Sequence, residues 1–438
     1  MSNSFIDLSP SKHLEALFDN GNYTEIGAHL SRLGGEPQGV VCGYGPVDGR
    51  LVFAFAQDET KMKGAFDSRS VKKIENLYSL ALKSGAPVVG VFASSGSVVS
   101  EGAALLGGIG ALFSAVARAS GEIPQIALVA GTCTGSMSVA ASMFDLAISV
   151  KDAEFSVSSK YISGGVCPAS SGLSAIVAEN EDELYATAKK LIAALPDSCD
   201  CIPSFENEAA LNRPLSISEE DAKDADKLIA AFSDGEFVEL YKSFGEGMKV
   251  GFAPIGGGHV GIVATDYSIG RGTVTPEGAK KAASFIDLCS DYSIPVITFI
   301  NSDGLDASGK SDQGALASAA AELAKSYRYC DAPKISAVVG RACGAILPIM
   351  GSRAGASDVS FALEGAVISP MTPEASVAFL KNDQISDTTS RESLEAEFAR
   401  NEAAAENAAE EGEIDFICEI GELRQRICGA LMMLCPEC

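Results

Sequence analysis

Residues 131–137 read GTCTGSM and residues 340–346 read GRACGAI. Each follows a proline and a run of β-forming apolar residues, PQIALVA at 124–130 and PKISAVV at 333–339. Where a buried strand turns into a helix through residues this small, the first helical N–H groups have no carbonyl partner and open space in front of them. Working outward from the two turns, the same register persists. Asp58 and Asp266, Lys72 and Lys280, Pro87 and Pro295, and Gly96 and Gly304 are each 208 residues apart, and Gly135 and Gly344 are 209 apart. A register held that long is an internal duplication, and its period is far too long for a solenoid. It predicts two homologous domains.

Each half runs through one series. A hairpin comes first: VVCGYGPVDGRLVFAFAQD (40–58) with its turn at Asp48–Gly49, and VGFAPIGGGHVGIVATD (250–266) with its turn at Gly256–Gly258. A loop, KMKGAF (61–66) or IGRGTV (269–274), leads to a lysine-bearing segment of helical period, SVKKIENLYSLALKSG or EGAKKAASFIDLCSDYS. A buried strand (APVVGVFASSG, IPVITFINSDG), a long helix, a second buried strand, the small-residue turn and another apolar helix follow. Strands apolar on both faces, alternating with helices, predict an α/β fold built on a parallel-rich sheet. The polar, turn-rich stretch 196–226 predicts the link, giving an N-terminal domain at 1–215 and a C-terminal domain at 216–438. Residues 383–409, rich in Glu and Ala, predict a solvated helix.

The chain has 438 residues, 47% hydrophobic and 21% charged, with a formal net charge of −25. That charge argues against nucleic acid or an anionic membrane as partner and makes any local cation more informative. No apolar run reaches membrane-spanning length, since Ala103–Ala117 is broken by Gly107, Gly108, Gly110 and Ser114. MSNSFIDLSP has neither the basic start nor the apolar core of an export signal. The twelve Cys are scattered, several inside apolar runs, and read as reduced thiols of a cytoplasmic protein.

The chemistry is expected at the turns. Backbone N–H groups of Gly135–Ser136 and Gly344–Ala345 are candidate donors to an oxygen that gains negative charge; losing one such donor typically costs about 10²–10³ in rate. A second donor at each site is expected from the loops Lys63–Gly64–Ala65 and Arg271–Gly272, which occupy equivalent places and pair a cation with a glycine. Lys61, Arg118, Thr134 and Cys343 complete the candidate substrate contacts. Close helix–strand packing is the competing reading of the turns, and solvation that of the cations. His13, His29 and His259 lie far apart and outside both turns, which weakens a Ser-His-Asp reading, and no zinc-type or phosphate-loop motif is present.

From Lys12 onward the chain resembles the carboxyltransferase subunit of biotin-dependent acyl-CoA carboxylases and decarboxylases, of the propionyl-CoA carboxylase beta and methylmalonyl-CoA or glutaconyl-CoA decarboxylase alpha kind. The blocks that carry it are KHLEALFDNGNYTEIG, GYGPVDGRLVFAFAQD, LALKSGAPVVG, ASGEIPQIALVAGTC, MGSRAGAS and GEIDFICEIGELRQRI, in family order. The resemblance implies two tandem crotonase-like (ClpP/crotonase) domains. Acyl-CoA would bind the N-terminal domain of one subunit, and biotin would enter from the C-terminal domain of another. Carboxybiotin would release CO₂, the resulting biotin oxyanion would take the α-proton of the thioester, and the thioester enolate would take up the CO₂. Gly135–Ser136 and Gly344–Ala345 would then be two oxyanion holes, one per substrate, and Leu347 falls at the position that tunes acyl-chain size. No side-chain base and no metal are needed. Biotin would ride on a partner, a biotin carboxyl carrier protein, alongside biotin carboxylase or membrane decarboxylase subunits. The subunit would assemble as a dimer or trimer of dimers, or with a paralogue.

The chain also departs from that family. D-S-G-G-A-R-x-x-E-G is ASSGSVVSEG here, with Ala93 for the Asp and Val98 for the Arg. Ser136 replaces a glycine, residues 153–172 shorten a family loop, and D-T-P-G-F becomes NSDGL at 301–305. These changes keep open a non-catalytic or half-catalytic paralogue. A free-standing crotonase-like hydratase or isomerase would want a Glu or Asp beside a hole, and neither turn supplies one.

Overall fold

Two segments read as apolar on both faces, Val88–Ser94 and Val296–Ser302, are buried at every residue. Strands of this kind can only sit inside a sheet covered on both faces. The structure, a computed structural model, describes residues 10–29, 39–57, 64–94, 96–201, 203–309, 311–386 and 388–436. It divides into two units, Met1–Cys201 and Ile202–Cys438.

In the first unit, β1 (Thr24–Ile26), β2 (Val40–Val47), β3 (Arg50–Gln57), β4 (Val88–Ser94), β5 (Gln125–Thr134), β6 (Leu146–Val150), β7 (Glu154–Ser156) and β8 (Ile176–Ala178) form one eight-stranded sheet. Its order is β1-β2-β3-β4-β5-β6-β8, with β7 paired to β5. The helices are α1 (Pro10–Leu17), α2 (Ser68–Ser84), α3 (Ala103–Ala119), α4 (Ser136–Ser142), α5 (Lys160–Ser163) and α6 (Glu181–Ala194). In the second unit, β9 (Val238–Leu240), β10 (Met248–Ile255), β11 (Gly258–Thr265), β12 (Val296–Ser302), β13 (Lys334–Cys343), β14 (Val359–Leu363), β15 (Val367–Ser369) and β16 (Phe416–Cys418) repeat the plan. Their order is β16-β14-β13-β12-β11-β10-β9, with β15 on β13. Its helices are α7 (Glu208–Leu211), α8 (Ala225–Phe232), α9 (Pro276–Asp291), α10 (Gln313–Tyr329), α11 (Pro373–Leu380), α12 (Arg391–Asn401), α13 (Ala405–Glu410) and α14 (Ile420–Leu434).

The duplication extends to register. Phe53 pairs with Val88 and Gly261 with Val296, and Asp48–Gly49 turns the first hairpin as its sequence requires. In the second hairpin the turn is Gly256–Gly257 alone, because Gly258 already pairs with Ile255. The long helices start and stop on local signals. Asp67, Thr275 and Asp312 cap α2, α9 and α10 by accepting a backbone N–H, and Gly85 closes α2 in the left-handed conformation. The second lysine of each Lys-Lys pair is buried: Lys73 Nζ donates to Glu25 and the Val40 carbonyl, Lys281 Nζ to the carbonyls of Tyr241 and Phe244.

Two segments differ from their sequence reading. The second half of the 196–226 stretch is structured, and Leu211, Leu215 and Ala222 lie in the second unit's core. Residues 383–409 form α12 and α13 rather than one solvated helix. Leu394 and Phe398, one turn apart, turn inward onto Val377 and Ala403, and the chain breaks where Ala404 bridges Val367. The Glu and Ala around them hide this short apolar stripe.

Candidate active site

Both turns sit at a fork in the sheet. β5 pairs with β6 from Ile126 to Val129, then with β7 from Thr132 to Thr134. β13 does the same with β14 and β15. Between the two stretches the register against β4 or β12 shifts. A strand that changes partners leaves room beyond its end, and there the chain turns with Gly135 at φ 63° and Gly344 at φ 64°. A side chain on Gly135 would meet nothing within 4 Å, and one on Gly344 only the Pro370 carbonyl at 3.8 Å.

The two glycine N–H groups expected as donors are used internally. Gly135 donates to the Val157 carbonyl at 3.0 Å and Gly344 to that of Ser369 at 2.9 Å. These bonds close the end of each fork. The next residues, Ser136 and Ala345, carry N–H groups with no backbone acceptor among the described residues. Each half thus offers one open donor at the turn, on the second residue of the expected pair.

The glycine loops reach the same place. A side chain on Gly64 would lie 1.8 Å from the Ala93 carbonyl, and one on Gly272 would lie 2.1 Å from that of Asn301. Both glycines have positive φ, so only glycine fits in space and in conformation. Ala93 and Asn301 are the last residues but one of β4 and β12, and the strands' final residues, Ser94 and Ser302, pair with Cys133 and Ala342 just before the turns. The loop–strand contact repeats in detail: Phe66 N donates to Gly96 O and Val98 N to Phe66 O, as Val274 N does to Gly304 O and Asp306 N to Val274 O. The Gly64–Ala65 and Arg271–Gly272 loops therefore flank the Gly135–Ser136 and Gly344–Ala345 turns. Lys61 and Lys63 lie outside the described residues.

Other expected contacts fall elsewhere. Arg118 ends α3, which starts at the turn end of the sheet and runs back; it lies about 22 Å along the helix from Ala103, at 1.5 Å per residue. Its Nε caps the Ser114 carbonyl. Thr134 and Cys343 are buried as the last residues of their strands, and burial pushes the Cys343 thiol up. Leu347 is 8% exposed and opens a π-helical turn, Leu347–Gly351, with its side chain toward Gly351.

Beside the first turn an apolar cavity of about 520 Å³ is lined by Val139, Phe155, Val157, Val166 and Leu173, with four serines around it. Against the Arg271–Gly272 loop, a cavity of about 570 Å³ has a mixed lining, with Glu246, Thr273, Asp303 and Asp306 beside Ile269 and Leu305. Arg271 is not a free cation here. Its Nε pairs with Asp303 and a terminal nitrogen reaches Glu374 Oε1 at 3.1 Å. Arg341, on β13 just before the turn, grips Glu374 with both terminal nitrogens, at 3.2 and 2.8 Å. Its Nε lies 2.9 Å from Asp303 Oδ1, out of line for a hydrogen bond. The hydrogen bonds from Arg341 hold the Glu374 carboxyl down to about 2. Burial opposes the Arg341 charge, but Glu374 and Asp303 outweigh it and raise its pKa. Arg341, Glu374 and Asp303 were not expected as site residues. An Arg at the end of the buried strand PKISAVVGRAC is the available signal for the first; Glu374 reaches the turn only through the fold. Among the described residues no cluster of His, Cys, Asp and Glu is arranged to hold a metal, and no helix is long and apolar enough to cross a membrane.

The chain matches the carboxyl transferase domain family over residues 9–437. The propionyl-CoA carboxylase carboxyltransferase subunit of Haloferax mediterranei is 27% identical over 467 residues, covering 98% of this chain and 90% of its own. Methylmalonyl-CoA decarboxylase subunit alpha of Veillonella parvula is 29% identical over 470 residues, with the same coverage of 98% and 90%. Among solved structures, transcarboxylase 12S with methylmalonyl-coenzyme A and methylmalonic acid bound, described as a hexamer assembly, superposes with a TM-score of 0.89 at 28% identity, over 98% of this chain and 90% of that one. The two sheets are accordingly two tandem crotonase-like domains.

Proposed function

This chain belongs to the carboxyl transferase domain family, and on that premise we propose that it moves a carboxyl group between carboxybiotin, borne on a carrier protein, and a short-chain acyl-CoA. The observation that carries the reading is the duplicated donor: Ser136 N–H at one fork and Ala345 N–H at the other, each without a backbone acceptor among the described residues and each beside a glycine loop. A transfer between two carbonyl compounds develops charge on both oxygens, and preorganised N–H groups stabilise such charge without reorganising. In the first unit, Ser136 N–H would hold the thioester oxygen as it becomes an enolate oxygen, with the Gly64–Ala65 loop supplying the second donor. In the second unit, Ala345 N–H would hold the ureido oxygen of the biotin ring. That ring carries no charge before CO₂ leaves, and the second site suits it: the cations Arg271 and Arg341 are matched by Asp303 and Glu374, and no side chain crowds Gly344. When bound, carboxybiotin supplies the carboxyl group. The partners would be a biotin carrier and the subunits that load or unload it, and the assembly a dimer or trimer of dimers.

The experiment is to supply malonyl-CoA or methylmalonyl-CoA with free biotin and measure thioester decarboxylation. Biotin-dependent loss of CO₂ supports the reading, and no turnover with any short malonyl-type thioester removes it. One observation favours a second reading, a half-catalytic paralogue that works beside a complete subunit. Ala93 and Val98, standing where the family carries Asp and Arg, are buried at 1% and 6% exposure and offer no polar group to a substrate. Co-purification with a complete copy, and activity only in its presence, would decide for it.

A further inference from the structure

We propose that Glu374, Arg341 and Asp303 are positioning residues that hold the Arg271–Gly272 loop against the second turn; the substrate that feels them follows from the reading above. Four chain segments converge here. Arg271 lies in the loop after β11, Asp303 directly after β12, Arg341 near the end of β13, and Glu374 in the first turn of α11. The loop needs holding, because Arg271 itself adopts φ 59°, a conformation L residues rarely take. The backbone ties Arg271 itself through Asp303 N to its carbonyl at 3.1 Å, and Val274 further along bonds Gly304 and Asp306. The side chains supply the rest: Arg271 to Asp303 and Glu374, and Arg341 across to the same two carboxylates. Tyr267 completes the box, its ring 5.9 Å from the Arg271 guanidinium and its hydroxyl 3.3 Å from Arg341. Arg341 is the hub. Its backbone N–H is fixed on Asn301 Oδ1 at 3.0 Å, and its residue number places it three before Gly344. A shift of this arginine therefore reaches both the strand end that carries the turn and the loop that flanks it.

The duplicated half shows that the fold does not require this network. Thr132 takes the ladder position of Arg341, since it pairs with Glu154 at the start of β7 as Arg341 pairs with Val367 at the start of β15. Tyr161 takes the place of Glu374, second residue of α5 as Glu374 is of α11. Ser95 stands where the second half has Asp303. The first unit builds the same fork, turn and glycine-on-carbonyl contact with no charge at any of the three positions. The charges serve the second site, then, and not the turn as such. Each carboxylate receives two guanidinium groups, and paired charge of this kind gives fixed geometry more than net stability.

The test has two arms. In the first, trypsin cleavage at the Arg271–Gly272 bond is followed by mass spectrometry in the full-length protein and in Glu374→Ala and Asp303→Asn. Arg271 is 52% exposed, so the bond is accessible once the loop is released. Cleavage is expected to accelerate at least about tenfold in both variants, with Glu374→Gln intermediate and cleavage elsewhere unchanged. In the second arm, decarboxylation is measured with biotin and thioester varied separately. Glu374→Ala is expected to raise KM for biotin about tenfold and leave KM for the thioester at the wild-type value; a purely structural role would move both together. Unchanged cleavage overturns the proposal whether or not the protein turns over. Equal shifts of the two KM values overturn it as well. If the wild type shows no turnover, the functional reading fails and the proteolysis arm alone decides this one.

Discussion

Replacing Gly272 by Ala separates a displaced loop from a merely strained one. The added methyl carbon would lie 2.1 Å from the Asn301 carbonyl oxygen, where carbon–oxygen contacts normally stop near 3.3 Å. About 1 Å of movement is required. Asn301 cannot supply it: its N–H is bound to Thr265 Oγ1 at 2.7 Å, and its Oδ1 accepts the Arg341 N–H at 3.0 Å. The loop must retreat instead. A misplacement of about 1 Å in a positioned group costs on the order of 10² in rate. Gly272 also sits at φ +67°, so Ala adds roughly 1–2 kcal/mol of backbone strain, or about 2–8 °C in Tm for a unit of this size. The assay is biotin-dependent decarboxylation of a malonyl-type thioester, with a thermal melt in parallel. Gly257→Ala is the control, because Gly257 has φ +92° with nothing within 4 Å of its side-chain position. It is expected to lose comparable Tm while keeping kcat/KM for biotin. The reasoning is refuted if Gly272→Ala stays within about threefold of wild type, or if the control loses as much activity.

Gly64→Ala is the mirror experiment: with its methyl 1.8 Å from the Ala93 carbonyl, kcat/KM for the thioester should fall about 10²-fold with KM for biotin unchanged. Arg424→Met removes a fully buried guanidinium that pairs with Asp234 and binds the Phe232 carbonyl; urea unfolding should show a loss of about 3–5 kcal/mol, and a loss below about 1 kcal/mol would contradict it. Glu374 is held down to about 2, below the ordinary value of about 4.3 for a free Glu, so the folded state releases its proton more readily than the unfolded one. Its stabilisation is then present above the ordinary value and disappears as pH falls toward 2. The Tm difference between wild type and Glu374→Gln should be flat from pH 8 to pH 5 and shrink below that; a difference that grows on acidification would reverse the sign.

The strands, hairpins and long helices were legible because their signals are local. VVGVFAS and VITFINS are mostly apolar on both faces, Asp48–Gly49 is a hairpin turn, and Asp67 and Thr275 are caps. The duplication made the two turns legible as well. What failed to read was anything decided by partners distant in sequence. Which amide of each turn stays open depends on the Val157 and Ser369 carbonyls, well beyond the turn itself. Arg118 is a candidate substrate contact in sequence, but α3 carries it away from the turn end of the sheet. Arg271 read as a free cation because its partners, Asp303 and Glu374, are 32 and 103 residues further on. Lys73 and Lys281 belong to a lysine-bearing helical segment in sequence, and only the fold shows each buried on carbonyls of another segment. Only the apolar half of the physics repeats with a period that sequence alone can reveal.

Arg424 has a further consequence, for synthesis rather than catalysis. Its guanidinium binds the Ala210 carbonyl across 214 residues of chain, and α14 around it contributes Leu423, Ile427, Cys428 and Leu431 to the core that also holds Leu211, Leu228 and Phe232. The start of the second unit is therefore sealed by its last helix. Contacts of such separation form only after the intervening chain is made, and until then the apolar faces they cover stay in water. Until α14 is made, the emerging half lacks that helix's share of the cover over Leu211 and Phe232, although the sheet residues Ile255, Ile262 and Phe299 of the same core are already in place. A nascent chain arrested before α14 should accordingly be digested across 203–234, and the same segment should become resistant once α14 has left the exit tunnel.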